Sequence, residues 1–208
     1  MAKMEVQIPA PNFRVRQFHI RGTTPYMQNK MSARDMQAMM DKQAAGSVSK
    51  SKKNREPRDF DADCAGRTRR SDDGRYGIPA GGIRNGLISA CRTVGFKMTH
   101  AKLAAFVEAD CFDADDGQPL VAITKGEPER RDMLVNIQMT TDIRSRPVFA
   151  PGWEAVLTIR YDGDMFSDVD MTNLVMRLGQ QVGIGSGRPD SPKSAGLGYG
   201  LFDIVNDD

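Results

Sequence analysis

The chain has 208 residues, of which 39% are apolar and 27% charged, with a formal net charge of +2. That length suits one large domain, or one domain with a substantial insertion, since domains typically hold roughly 100–150 residues. Charge this close to balance excludes an interaction driven by global charge alone, and no apolar run reaches the roughly eighteen residues a membrane helix needs.

Cys64, Cys91 and Cys111 are odd in number and widely spaced, and His19 and His100 are the only histidines. This pattern fits neither a disulfide framework nor a zinc site, and no cofactor is expected. The opening "MAKMEVQIPAPNF" lacks the apolar run of a signal peptide, so a reduced, cytoplasmic setting is expected.

In chain order, "FRVRQFHIRG" (13–22) alternates Phe13, Val15 and Gln17 with arginines, then shifts register at Phe18 and Ile20; it reads as a strand with basic residues on one face. The loop "TTPYMQNKM", carrying Lys30, leads into "SARDMQAMMDKQAA". That reads as a helix capped by Ser32, with Met36, Met39 and Met40 forming an apolar stripe expected in the core.

Residues 46–75 break every periodicity. They hold nine basic and six acidic residues, with Phe60 the only aromatic, so a mobile loop or inserted finger is expected. Its basic blocks offer Lys50, Lys52, Lys53, Arg55, Arg58, Arg67, Arg69 and Arg70 as contacts to a phosphate backbone; the alternative is a solvated face.

"YGIPAGGIRNGLISACRTVG" (76–95) passes through Gly81 and Gly82 into an amphipathic helix with Arg84 and Asn85 in its first turn and Ile83, Leu87, Ile88 and Cys91 on one face. The glycines admit two readings: room for a phosphate at the helix start, or a turn that needs positive φ. "HAKLAAFVEADCF" reads as a short helix, alone or running into a strand. "PLVAIT", "RDMLVNIQMT" and "WEAVLTIRYDGDMF" read as strands, the last closing on a tight Asp-Gly turn. "SDVDMTNLVMRLGQQVG" reads as a helix with Ser167 at its N-cap, Asp170 three residues later, and Leu174, Val175 and Leu178 inward. The order is α+β and compatible with a split βαβ arrangement.

"GIGSGRPDSPKSAGLGYGLFDI" (183–204) places glycines at 183, 185 and 187 before Arg188, and at 196, 198 and 200 through what reads as a closing strand. Glycines at period two clear one strand face for something flat or charged, with Gly185, Ser186, Gly187, Arg188, Lys193 and Ser194 as candidate phosphate contacts; tight internal packing is the alternative.

Three segments resemble the RAMP superfamily, which includes the backbone subunits of CRISPR effector complexes. "IPAGGIRNGLISACRTV" is similar to its "IPGSSLKG…LRS" segment, "GIGSGRPDSPKSAGLGYGLFDI" to its C-terminal glycine-rich loop and strand, and "FHIRGTTPYMQNKM" to its first strand and loop. The resemblance implies a single domain over 1–208. Its core would be a ferredoxin-like (RRM-type) antiparallel sheet with helices on one face and a long flexible basic insertion at 46–75.

By position, Arg84 matches the basic residue of the helix start, and Gly185, Ser186, Gly187 and Arg188 match the glycine-rich loop. Gly81 and Gly82 stand where the family has small hydroxyl residues, which removes two side-chain contacts.

The implied activity is binding of single-stranded RNA or DNA without sequence preference, with copies of the chain in a head-to-tail row. The setting would be a CRISPR-type effector or a phage-type replication or recombination complex, with other effector or replication subunits as further partners and no membrane. The alternative is a RAMP-type metal-dependent endoribonuclease using an aspartate among Asp59, Asp61, Asp63, Asp72 and Asp73, although the glycine-glycine-x-aspartate arrangement is missing; enzymatic activity is not expected. A third reading makes it an assembly protein whose glycines serve packing alone. With four tyrosines and one tryptophan, contact should fall on the phosphodiester backbone rather than on stacked bases.

Overall fold

A computed structural model describes residues 8–44, 57–137, 140–191 and 195–205. Strand β1 (Phe13–Gly22) and the short β2 (Tyr26–Met27) precede helices α1 (Ala33–Ala44) and α2 (Phe60–Ala65). Then come β3 (Gly77–Pro79), α3 (Ala80–Thr93), α4 (Met98–Ala104), β4 (Ala105–Val107) and β5 (Cys111–Phe112). Strands β6 (Pro119–Lys125), β7 (Pro128–Ile137), β8 (Thr140–Phe149) and β9 (Glu154–Asp162) lead to α5 (Asp168–Arg177), a π-helical turn Leu178–Val182 and β10 (Phe202–Ile204).

The fold is mixed α+β with antiparallel sheets. The larger sheet runs β10-β1-β9-β6-β3, with β4 also paired to β9 and β5 to β6; the smaller runs β2-β8-β7. β9 lies between β1 and β6, and β1 lies between β9 and β10, each pair antiparallel. Helix α5 therefore connects the parallel strands β9 and β10 with β1 between them, and α3 lies in the chain between β1 and β6, which run parallel on either side of β9.

Periodicity explains the helix layer. Ile83, Leu87, Ile88 and Cys91 recur at three- and four-residue steps and are all buried, as are Met171, Leu174 and Val175 of α5, against Phe18, Ile20, Leu157 and Ile159 of the sheet. Ser167 caps α5 in a reciprocal capping box with Asp170, and Ser32 accepts from the Asp35 N–H at 3.1 Å. "HAKLAAFV" runs from helix to strand, one of the two forms expected.

Several sequence expectations are corrected. No register shift occurs in β1, whose pairing with β9 continues unbroken from Phe13 to Arg21, so Arg14 and Arg16 share a face with Phe18 and Ile20. The helix layer ends at Asp168, which meets Arg14 at 3.4 Å and whose carbonyl accepts from Arg16 at 3.1 Å. The α1 methionines are not core: Met36, Met39 and Met40 stay 38%, 47% and 49% exposed.

Within residues 57–75 one helix, α2, forms at Phe60–Ala65, and the remainder runs as turns with isolated bridges pairing Arg70 with Tyr76 and Ser71 with Asp113. Asp59 accepts from the N–H groups of Asp61 and Ala62 to cap α2, which packs on β8. Arg58 and Arg130 sit over the Phe60 ring at 5.5 and 5.9 Å. Residues 46–56, with Lys50, Lys52, Lys53 and Arg55, lie outside the described residues.

The glycine-rich segment is the largest departure. Only Phe202–Ile204 is strand, and all six glycines take φ between 70° and 79°, which breaks any pleat. The two glycine runs pack on each other instead: Ile184 N–H donates to Gly200 O at 3.0 Å and Leu197 N–H to Gly187 O at 2.7 Å. A Cβ on Gly200 would lie 1.8 Å from Ile184 O. What approaches Gly196 and Gly200 is the chain's own backbone, whereas Gly185 packs against the Tyr26 ring and Gly198 faces open space.

Candidate nucleic-acid interface

A cleft of about 330 Å³ opens between the start of α3, the loop after β2 and the first glycine run. Its walls include Tyr26, Gln28, Asn29, Arg69, Pro79, Gly82, Asn85, Gly185, Ser186 and Arg188, and no carboxylate. Four segments thus contribute to the region, although each lies far from the others in sequence.

The start of α3 is uncapped. Pro79 occupies the N-cap position and supplies no side-chain acceptor, so the first-turn N–H groups face outward with the positive end of the helix dipole. Gly81 and Gly82 are helical rather than positive in φ. A Cβ on Gly81 would meet nothing within 4 Å, and one on Gly82 only the Pro79 Cβ at 3.8 Å. Neither backbone strain nor internal crowding accounts for two glycines here, where each costs about 1 kcal/mol of helix stability relative to alanine.

Across the cleft, Arg188 is half-buried and its Nη1 donates to Gly185 O at 3.0 Å; no ion pair engages it among the described residues, but with the Ser89 hydrogen bond and Arg92 its charge holds the nearby Asp190 carboxyl below the ordinary value. Ser186 is fixed by its N–H donating to Met27 O at 2.9 Å. Tyr26 forms the floor, fully buried, and burial pushes its phenol far above the ordinary tyrosine value, so the ring remains neutral.

The other nominated cations are engaged internally. Lys30 is 2% exposed and contacts Asp113 and Asp115. Arg69 pairs with Asp113 at 3.0 Å and Asp116 at 3.1 Å, and Arg67 with Asp35 at 3.2 Å. Arg58 bonds Asp63 and the Ile143 carbonyl. Arg70 stacks on Tyr76 at 4.6 Å.

Arg84 points away from the cleft: its Nε donates to Ala105 O at 2.9 Å and its guanidinium stacks on Phe106 at 4.8 Å. It fastens α3 to β4. Lys193 and Ser194 lie outside the described residues. Gly187 is held by the second glycine run rather than lining the cleft.

Sequence reading missed Gln28 and Asn29, which no motif marks, and Arg131, Arg144 and Arg146 of the β7–β8 hairpin. The alternating arginines of "DIRSRPVF" carry a legible period-two signal for one strand face.

Of the five loop aspartates considered for cleavage, four have structural partners: Asp59 caps α2, Asp61 pairs with Arg130 at 2.6 Å, Asp63 with Arg58 and Asp73 with Arg75 at 2.7 Å. Among the described residues no group of three or more histidines, cysteines and carboxylates is placed to hold a metal ion, and no helix is long and apolar enough to cross a membrane. No family model matches the chain, and no curated protein matches its sequence.

Proposed function

We propose that the protein binds single-stranded RNA or DNA through its phosphate backbone, without sequence preference, and lines up head to tail along the strand. The context is that of a RAMP-type backbone subunit or a phage-type strand-binding protein. The observation that carries this reading is the pair of helical glycines at 81 and 82. Both lie in the uncapped first turn of α3, where Gly82 lines a cleft that has Arg188 on its far wall and no carboxylate. A phosphate seated there would accept from first-turn N–H groups on one side and from Arg188 on the other.

The order β10-β1-β9-β6, with β1 between β9 and β10 and β9 between β1 and β6, is the arrangement a ferredoxin-like core requires, and it supports the RAMP reading.

The test is a salt titration of binding to single-stranded oligonucleotides of unrelated sequence. We expect similar affinities for all of them. Arg188→Ala should weaken each by a similar factor and make the salt slope shallower by about 0.7, the value for one phosphate contact on a single strand. An unchanged slope with a strongly lowered Tm would mean that Arg188 only braces the glycine loop. Cleavage of bound RNA with added divalent ion, abolished by alanine at Asp59, Asp61 or Asp63, would replace this reading with the endoribonuclease.

A further inference from the structure

Three guanidinium groups converge where β8 meets the loop after β2. Alternation along β8 puts Arg144 and Arg146 on one face, with Ser145 turned to the other, where its hydroxyl donates to Asp132. Arg67 reaches the same region from the end of α2. A second cleft, about 370 Å³, lies there with Arg67 and Arg144 in its walls beside Asn29, Lys30, Asp35 and Met39; Arg146 does not line it but is close enough to feel the charges of Arg67 and Arg144. Asn29 lines both this cleft and the one at α3, so the two adjoin.

The cluster is short of acceptors. Asp35 takes Arg67 at 3.2 Å, Asp142 takes Arg144 Nη2 at 2.8 Å, and Lys30 is already held by Asp113 and Asp115. That leaves Arg144 Nε and Arg146 Nη1 shut off from solvent with no hydrogen-bond partner among the described residues. Burial, and after it the charges of Arg67 and Arg144, lower the Arg146 pKa. Buried N–H groups left without acceptors, on cations that repel one another, destabilise the fold unless an anion completes them.

We infer that the Arg67–Arg144–Arg146 cluster is a phosphate-binding site: a ligand at Arg67 and Arg144 draws these side chains outward, so that Arg144 Nε and Arg146 Nη1, closed to water in this structure, donate to its oxygens. Planar guanidinium forks suit tetrahedral oxyanions, and the unmade bonds are donors only, which excludes a cation. The source of the phosphate rests on the proposed function: a phosphodiester of the bound strand, one or more nucleotides from the α3 cleft.

The experiment compares inorganic phosphate with chloride at equal ionic strength on the full chain. In the wild type, phosphate should raise Tm above chloride and shift the Arg144 Nε–Hε resonance. Arg146→Met should be at least as stable in chloride, lose the phosphate increment, and bind a single-stranded oligonucleotide about tenfold more weakly or worse, as for one charge-assisted bond. Should Arg146→Met fail to fold, the wild-type resonance still decides.

Identical behaviour in phosphate and chloride by both readouts overturns the site. A phosphate response lost in Arg146→Met, in a protein whose wild type binds no oligonucleotide, keeps the site as one for free phosphate and removes the nucleic-acid reading.

Discussion

Gly81 and Gly200 are the same residue type under opposite constraints. Gly81 is helical with open space around it, so Gly81→Ala should raise stability by about 0.5–1 kcal/mol while weakening strand binding if a phosphate comes close there. Gly200 has φ of 74° and would drive a Cβ into the Ile184 carbonyl, so Gly200→Ala should cost several times more. Thermal unfolding beside oligonucleotide binding separates the two. A Gly81→Ala variant that is more stable and binds as well as the wild type would remove the functional account of that glycine.

Asp113 is the other residue whose environment decides its role. Burial pushes its carboxyl up, but the Lys30 hydrogen bond, the Asp115 N–H and the Lys30 and Arg69 charges outweigh it and hold the group below the ordinary carboxylate value. A depressed folded pKa contributes stability that is fully present above the unfolded value of about 3.9 and is lost as pH falls through the folded one. Asp113→Asn should therefore cost about 3 kcal/mol at neutral pH, by leaving Lys30 and Arg69 underpaired. The gap to wild type should narrow below about pH 4, which urea unfolding across pH would reveal.

Elements divide by what covers them. Helix α5 has both ends of its first turn satisfied by the Ser167–Asp170 box and its inner face buried, so Ser167→Ala should cost about 1 kcal/mol. Helix α1 has the cap and the periodic apolar stripe but no buried face. Replacing Met36, Met39 and Met40 with serine should leave Tm nearly unchanged, shifting stability by about 0.5 kcal/mol or less for each, as for exposed sites. A large loss in the isolated chain would show that the methionines pack on something after all. Periodicity reports only that a helix has a face; a partner decides whether that face is core.

At the scale of the whole molecule, the two sheets present the α3 cleft and the arginine cluster side by side through Asn29, a continuous path rather than a single pocket. On the proposed function, a strand following such a path would leave one copy and enter the next, since a head-to-tail contact need not close. The number of chains per oligonucleotide should then rise steadily between about 20 and about 60 nucleotides, lengths that span several footprints of strand-binding proteins. Mass measurement of the complexes checks this, and one fixed stoichiometry across that range would refute it.

By itself the sequence determined the local features: the α5 capping box, the buried stripe of α3, the strands β6, β7 and β9, and a mixed α+β class. Each depends on residues within a few positions of one another, where period and capping chemistry act. Only the tertiary structure decided which charges are spent. Lys30, Arg58, Arg67 and Arg69 look alike in the sequence as solvated or phosphate-binding cations. Yet Asp113, Asp35 and Asp116 are brought to Lys30, Arg67 and Arg69 by chain crossings that no local pattern encodes, whereas Asp63 is a near neighbour of Arg58 in the chain. The glycines follow the same rule. Their period of two suggests a strand, but their conformation is set by where two distant backbone runs meet, because close approach is a property of the pair and not of either segment.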